Sequence, residues 1–178
     1  MQSRAEVEAL LSRLNDARAK QTFKPPMLLK IAPDLRDDEL DDIAEACGGG
    51  RVDGIIVSNT TLGREGLTSP LKAEQGGLSG KPLLALSTRQ LAKVFVRTKG
   101  AIPLVGVGGI HDAGSALAKL RAGASLLQVY SALVFKGPGL VSEILEGLSC
   151  ALARDKQTLA SIRGRDAEAI AHHGLSGT

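Results

Sequence analysis

A chain of 178 residues with 43% apolar and 23% charged residues has the composition of one globular domain. Its net charge of +3 is spread along the chain without a basic run, so nucleic acid is not expected as a partner. Cys47 and Cys150 lie far apart in the sequence and the three histidines form no ligand set, so neither a disulfide nor a metal site is predicted. No apolar run approaches the roughly 20 residues that cross a bilayer, so no membrane span is predicted.

The first twenty residues carry apolar side chains at helical spacing among charged ones, which predicts an amphipathic helix. Four short runs rich in Leu, Ile and Val follow, without regular polar alternation, as is typical of parallel strands covered on both faces. These runs are MLLKIA (27–32), GIIVSN (54–59), PLVGVG (103–108) and SLLQVY (125–130).

Helical segments separate the four runs. DDELDDIAEAC follows the first run, with Asp37 or Asp38 as the predicted cap, and LLALSTRQLAKVFVRTKG precedes the third. DAGSALAKLRAG links the third run to the fourth, with Asp112 as the predicted N-cap and Gly123 as the stop, and a last helix is predicted over about 138–153. Strands that alternate with helices in this way predict a parallel sheet built from four βα units.

Two segments break this alternation. The loop between Asn59 and Leu83 is long and rich in Gly, Ser and Thr, and a loop of this length is either a functional lid or disordered. Its GGLSG stretch (76–80) could form an anion-binding nest or a hinge. Residues after Lys156 show weak periodicity and are expected to be frayed.

Each predicted strand ends in polar residues, glycines or a tyrosine, which are not typical of a buried aliphatic core. Because the carboxyl ends of parallel strands meet at one edge of the sheet, which is where such folds bind ligands, these residues are predicted to share a site. They are Lys30, then Ser58, Asn59 and Thr60, then Gly108 and Gly109, and finally Tyr130 and Ser131.

The glycines after the third strand have two interpretations. Main-chain N–H groups without a neighbouring Cβ can approach a phosphate closely, and the helix capped by Asp112 directs its positive end to the same place. Alternatively, Gly108 and Gly109 only permit close packing of strand against helix. We favour the phosphate interpretation and keep the packing one as its alternative.

Lys30 and the SNTT stretch also have two interpretations each. Lys30 points away from the face shared by Leu29 and Ile31, where a buried ammonium would need a ligand or a carboxylate as partner. A lysine that reaches solvent from a strand end explains the position equally well. The amide and hydroxyl groups of SNTT (58–61) suit a polar planar ligand, although a helix cap or an Asx turn is favoured for that stretch alone.

Five motifs, in order and spacing, resemble the C-terminal half of class 2, quinone-dependent dihydroorotate dehydrogenase. They are KIAPDL (30–35), VDGIIVSNTT (52–61), GGLSGKPL (76–83), IPLVGVGGI (102–110) and AGASLLQVYSALVFKGPG (122–139). The resemblance implies an α/β fold, the C-terminal half (four βα units) of a TIM (β/α)8 barrel over residues 1–155, followed by a C-terminal tail over 156–178. It also implies FMN as cofactor, oxidation of dihydroorotate to orotate in pyrimidine biosynthesis, and a quinone acceptor.

Roles carry over from the resemblance residue by residue. It implies that Lys30 lies beside the flavin ring and stabilises negative charge on the reduced form, while Asn59 and Thr60 hydrogen-bond the pyrimidine ring of dihydroorotate or orotate. The remaining FMN contacts that it implies are Ser58, where the family usually has threonine, Gly80, Gly109, and the backbone of Tyr130 and Ser131 at the phosphate.

The family's first four βα units, its serine general base and its N-terminal quinone tunnel have no counterpart in this sequence. No catalytic base is therefore assigned, and this chain is expected to lack turnover by itself. The complete enzyme is expected on the cytoplasmic side of the inner membrane as a peripheral protein, and this chain is expected to be soluble.

Half a barrel leaves open sheet edges and an uncovered apolar face. We expect the chain to form a homodimer, to join a missing N-terminal half, or to remain marginally folded. The alternative to the enzyme is a non-catalytic flavin- or phosphate-binding half-barrel that homodimerises.

Overall fold

Four parallel strands alternate with helices along residues 4–175, the part of the chain that the structure, a computed structural model, describes. The strands are β1 (Leu28–Ile31), β2 (Gly54–Val57), β3 (Leu104–Val107) and β4 (Leu126–Gln128). The α-helices are α1 (Arg4–Ala19), α2 (Asp37–Cys47), α3 (Leu84–Arg97), α4 (Ala113–Arg121), α5 (Ser131–Lys136), α6 (Gly139–Arg154), α7 (Leu159–Ile162) and α8 (Ala167–His173), with a 3-10 turn at Lys81–Leu83. The sheet order β1-β2-β3-β4 confirms the predicted four βα units.

The strand register divides the sheet into two faces. Lys30 lies opposite Ile56, which in turn lies opposite Val105, so these side chains share a face with the neighbouring positions of the outer strands. We call this the open face; it consists of Leu28, Lys30, Ile56, Val105, Val107, Leu126 and Gln128. The other face carries core residues such as Ile31, Ile55 and Leu104, which are buried.

The open face is covered only at its centre. Val105 on β3 is 5% exposed, whereas Leu28 on β1 and Leu126 on β4 are 40% and 64% exposed. Apolar side chains on the two outer strands are therefore left in contact with solvent, as expected for an incomplete barrel.

The helix ends agree with the sequence at one predicted cap and differ at the other. Asp112 is the N-cap of α4, where its carboxylate accepts a hydrogen bond from the Ser115 N–H at 2.7 Å, and Gly123 follows the helix with φ of +119°. The prediction of Asp37 or Asp38 as a cap is wrong because α2 already begins at Asp37 and Arg36 holds the N-cap position. Acidic residues in the first turn still stabilise α2, because they lie at the positive end of its dipole.

Three short helices, α5, α7 and α8, are absent from the sequence prediction. The first of them, α5 at Ser131–Lys136, is separated from the end of β4 by two residues, and the apolar run SLLQVY gave no reason to expect it. Among residues 4–175 no helix is both long and apolar enough to cross a bilayer.

Residues 157–175 fold back onto the domain, so the expectation that the chain is frayed after Lys156 is wrong for these residues, while 176–178 lie outside the described part of the chain. Their apolar side chains are few and the helices α7 and α8 short, which explains the weak periodicity, yet Ile162, Ala167 and Ile170 are buried. The Arg89 guanidinium donates hydrogen bonds to the carbonyl oxygens of Ala171 and His172 at 3.2 Å each. Whether these residues form a tail separate from a barrel domain at 1–155 stays a prediction.

We expect Ile162→Ala to lower the free energy of unfolding by about 2–4 kcal/mol, because it opens a cavity under α7. Ile162 is 0% exposed, and Leu159 in the same helix is 56% exposed, so Leu159→Ala is the matched control and should cost less than about 1 kcal/mol. Urea denaturation followed by circular dichroism measures both. Equal small effects would show that α7 does not anchor the chain.

Candidate functional site

The carboxyl ends of the four strands surround one cleft of about 330 Å³. This confirms the prediction that residues at these strand ends converge. All eight residues predicted for the site line the cleft: Lys30, Ser58, Asn59, Thr60, Gly80, Gly109, Tyr130 and Ser131.

Other residues line the cleft that sequence reasoning did not assign to it. Val107 and Gln128 belong to the open face, two positions beyond Val105 and Leu126, so strand alternation could have identified them. Ser79, from the GGLSG stretch, accepts a hydrogen bond from the Ser131 hydroxyl at 2.8 Å. The remaining ones are Leu83, Ile110, Val129 and Ala132, whereas Gly108, which was expected at the end of the third strand, lines the cleft as predicted.

Lys30 extends from β1 into the cleft and is exposed there. The sequence argument that burial makes its ammonium costly therefore does not apply in this structure. Within residues 4–175 the ammonium makes no ion pair and no hydrogen bond. An anionic or electron-rich ligand in the cleft would meet an unpaired cation.

Ser58, Asn59 and Thr60 follow β2, and the peptide bond between Val57 and Ser58 is cis. The buried Ser58 hydroxyl donates to the Asn59 carbonyl at 3.0 Å, and the Asn59 N–H donates to the Ile31 carbonyl at 2.8 Å. No helix begins here, so the helix-cap alternative is wrong. The Asn59 amide oxygen accepts a hydrogen bond from the Thr60 N–H at 2.9 Å, so this oxygen is bonded locally. The Asn59 amide nitrogen makes no hydrogen bond within the described residues.

The Gly108–Gly109 turn follows β3, with φ of +101° and +79°. A Cβ on Gly109 would lie 2.5 Å from Leu84 Cα, which supports the packing interpretation, because no side chain fits between turn and helix. The Gly108 carbonyl faces the Ser87 hydroxyl at 3.0 Å, and His111 Nδ1 donates to the Gly109 carbonyl at 2.7 Å.

These bonds also orient the turn. A trans peptide directs its C=O and N–H to opposite sides, so the Gly109 N–H points away from Ser87. Within residues 4–175 no acceptor takes the N–H of Gly108 or Gly109. The turn therefore presents unused main-chain donors at the cleft, and the packing and phosphate interpretations are compatible.

The long loop after Thr60 is ordered by one arginine. Thr61 pairs with Leu78 across the base of the loop, and the Arg64 guanidinium donates to five carbonyl oxygens on both of its limbs. Asp34, from the loop after β1, accepts hydrogen bonds from the Thr61 hydroxyl and from the Leu62 N–H. The loop thus has a defined path beside the cleft, and disorder does not describe it.

Among the described residues, no three His, Cys, Asp or Glu side chains gather into a possible metal site. The titratable residues that line the cleft are Lys30 and Tyr130, so its lining in residues 4–175 contains no carboxylate and no imidazole. The cleft is therefore equipped to bind a ligand through main-chain donors, hydroxyls, an amide and one cation.

Comparison with known proteins identifies proteins that this chain resembles. A family model described as dihydroorotate dehydrogenase matches residues 1–152. The chain is 51% identical over 176 residues to a dihydroorotate dehydrogenase (quinone) of Bradyrhizobium diazoefficiens and 52% identical to one of Rhodopseudomonas palustris, with 96% of this chain and 48% of each relative covered.

Among solved structures, dihydroorotate dehydrogenase from Eimeria tenella in complex with ferulenol matches with a TM-score of 0.86 and 32% identity, covering 92% of this chain and 49% of that one. The ligand-free enzyme from the same organism matches with the same TM-score of 0.86 and 31% identity. The chain thus spans about half the length of the curated relatives that it matches.

Proposed function

This chain belongs to the dihydroorotate dehydrogenase family, and its fold is part of that family's barrel. From this membership we propose that its cleft is the FMN- and pyrimidine-binding side of a quinone-dependent dihydroorotate dehydrogenase, which oxidises dihydroorotate to orotate. The observation that carries the proposal is the convergence of the eight predicted site residues on one cleft.

The phosphate end of FMN would lie at the Gly108–Gly109 turn. The unused N–H groups of these two glycines suit a phosphate, because main-chain donors can approach its oxygens without a Cβ between them. Gly80, with φ of +78°, and the start of α5 at Ser131 lie on the same cleft. Their backbone would complete the contacts around the phosphate.

Lys30 and Ser58 would hold the isoalloxazine ring, since both residues line the cleft. The ammonium of Lys30 has no partner among the described residues and is free to stabilise negative charge on the reduced ring. When bound, FMN supplies the hydride acceptor, and a quinone takes the two electrons onward. The protein's part is to hold the ring against the substrate and to stabilise its charge.

Asn59 and Thr60 would hold the pyrimidine ring of dihydroorotate or orotate. The Asn59 amide nitrogen is an unused donor and the Thr60 hydroxyl both donates and accepts, which matches the alternating carbonyl and N–H groups of a pyrimidinedione. Both residues lie beside Ser58, so the substrate would face the ring that Ser58 contacts.

Removal of the substrate's carbon-bound proton requires a general base. Lys30 is assigned to the flavin ring, and the cleft lining in residues 4–175 offers no carboxylate or imidazole. We therefore propose that these residues bind FMN and substrate but do not by themselves support turnover. A membrane quinone as acceptor would place the complete protein at the surface of the inner membrane.

We expect Lys30→Met to weaken binding of reduced FMN about tenfold while changing the affinity for oxidised FMN by less than about threefold, since the lost cation acts mainly on the charge of the reduced ring. Anaerobic titration of the chain with oxidised and with dithionite-reduced FMN, followed by absorbance, measures both affinities. Lys24→Met, which removes an exposed lysine outside the cleft, is the control. Equal weakening of both forms would contradict the assigned role of Lys30.

A second candidate is a non-catalytic flavin- or phosphate-binding half-barrel that forms a homodimer. The exposure of Leu28 and Leu126 on the open face favours it, because a second copy would cover these side chains. Adding orotate to the FMN-loaded chain separates the candidates, because only the first holds a pyrimidine ring beside the flavin. A change in the flavin absorbance on adding orotate supports the dehydrogenase, whereas an unchanged spectrum from a dimeric species supports the second candidate.

A further inference from the structure

Lys119 is a fully buried lysine on α4, with 0% of its surface exposed. Its Nζ donates a hydrogen bond to the Ser87 hydroxyl of α3 at 2.6 Å and lies 3.3 Å from the Val107 carbonyl of β3. The side chain thus reaches from the outer helix layer to the carboxyl end of the third strand. None of the roles proposed above uses it.

The buried ammonium has no counter-charge among the described residues. Burial lowers the pKa of Lys119 to about 7, and no neighbouring charge, from α3, β3 or any other element, contributes to the shift. An uncompensated buried charge is costly, and such positions are kept where a ligand supplies the missing charge or where the group orders a polar network.

The polar network around Lys119 leads to the Gly108–Gly109 turn. Ser87 accepts from Lys119, and its own hydroxyl proton is shared among three carbonyl oxygens, those of Leu83 at 2.8 Å, Gly108 at 3.0 Å and Leu84 at 3.3 Å. Charge on Lys119 polarises this hydroxyl and strengthens its bond to the turn. The Gly108 carbonyl is thereby held toward α3 and the Gly109 N–H away from it.

We propose that Lys119 is a positioning residue for phosphate binding, which holds the Gly108–Gly109 turn through Ser87 and supplies the positive charge behind it. This inference rests on the proposed function, since it takes the ligand phosphate to be that of FMN. A phosphate dianion on the cleft side of the turn supplies the negative charge that Lys119 lacks, so each charge offsets the desolvation cost of the other.

The charge also makes binding depend on pH. In the free protein Lys119 loses its proton as pH rises through about 7, whereas a phosphate monoester is already mostly a dianion at pH 7, so the affinity for a phosphate ligand falls from pH 7 to pH 9 and binding takes up a proton. The other titratable groups at the turn are His111, bonded to the Gly109 carbonyl, and Asp112, which lies 3.2 Å from the His111 ring. A variant without Lys119 retains both and so isolates its contribution.

The test compares FMN with riboflavin, which carries the same ring without the phosphate. Lys119→Met is expected to weaken FMN binding about tenfold at pH 6.5 and to change riboflavin binding by less than about twofold. Lys20→Met, which removes an exposed lysine, should leave both affinities unchanged. Fluorescence quenching of each flavin by the chain measures them, and the wild-type chain should lose its preference for FMN as pH rises.

The outcomes separate this inference from the function on which it rests. If the wild-type chain binds FMN more tightly than riboflavin and Lys119→Met keeps that preference, Lys119 does not position the turn and the proposed function stands. If the variant loses both flavins equally, the lysine has a structural role only and the inference is wrong. If the wild-type chain binds neither flavin, the proposed function fails and the inference fails with it.

Discussion

Gly109→Ala is expected to lower the free energy of unfolding by about 3–5 kcal/mol, more than any other substitution proposed here for this chain. The added Cβ would lie 2.5 Å from Leu84 Cα and 2.6 Å from Leu84 N, which are backbone atoms and cannot turn aside as a side chain would. The residue also has φ of +79°, where a side chain adds strain of its own. Urea denaturation followed by circular dichroism measures the loss.

Gly137→Ala is the matched control for conformation alone. Gly137 has φ of +74°, but nothing lies within 4 Å of the Cβ that alanine would add, so about 1 kcal/mol is expected. The difference between the two variants measures the packing of the turn against α3. If both lose the same small amount, close packing is not the reason for Gly109, and the phosphate contact alone would have to explain it.

Lys119→Met is expected to raise the free energy of unfolding at pH 7 by about 2–4 kcal/mol. The pKa of Lys119 is about 7 in the folded chain and 10.5 in the reference state, so between these values the unfolded chain binds a proton that the folded chain does not. The contribution of Lys119 to stability therefore increases as pH rises from 7 to 10.5. Methionine fills the same space without a charge and removes this dependence.

Urea denaturation of both proteins at pH 7, 8 and 9 measures the difference. Carboxylates are ionised throughout this window, and the remaining titrating groups are common to both proteins, so the gap between them reports on Lys119. The gap should narrow as pH rises, because wild-type stability increases. The prediction is contradicted if Lys119→Met is less stable than the wild-type chain at pH 7 and the difference in their free energies of unfolding does not change with pH. Burial of the lysine would then not destabilise the folded chain.

Much of the site could be predicted because it depends on local sequence and strand polarity. Each short aliphatic run marks a strand buried on at least one face, and the residue after it must lie at the carboxyl edge of a parallel sheet. Lys30, Asn59 and Gly109 were found in this way, and the structure brings them to one cleft. Their contacts with FMN and substrate stay predictions.

What could not be predicted depends on contacts between elements distant in the sequence. In DAGSALAKLRAG, Lys119 has the appearance of a solvent-exposed lysine on a helix, and only the packing of α4 against α3 and β3 buries it. The burial of Ile162 and Ile170 likewise depends on docking to helices about 40 to 80 residues earlier, which short segments with weak periodicity do not reveal. Lys30 is exposed because β1 is an edge strand of the sheet, and the sequence of β1 alone does not show whether another strand lies beside it.

The Arg64 guanidinium has a consequence for how the loop between Thr61 and Leu78 moves. Because one planar group fastens carbonyls on both limbs of the loop, neither limb can loosen while the other stays in place. The segment should therefore move as one rigid unit about its base, where Thr61 pairs with Leu78. Asp34 from the neighbouring loop holds the same base through its hydrogen bonds to Thr61 and Leu62. A lysine in place of Arg64 lacks the planar fork that spans both limbs, so the two limbs of the loop would then move independently of each other.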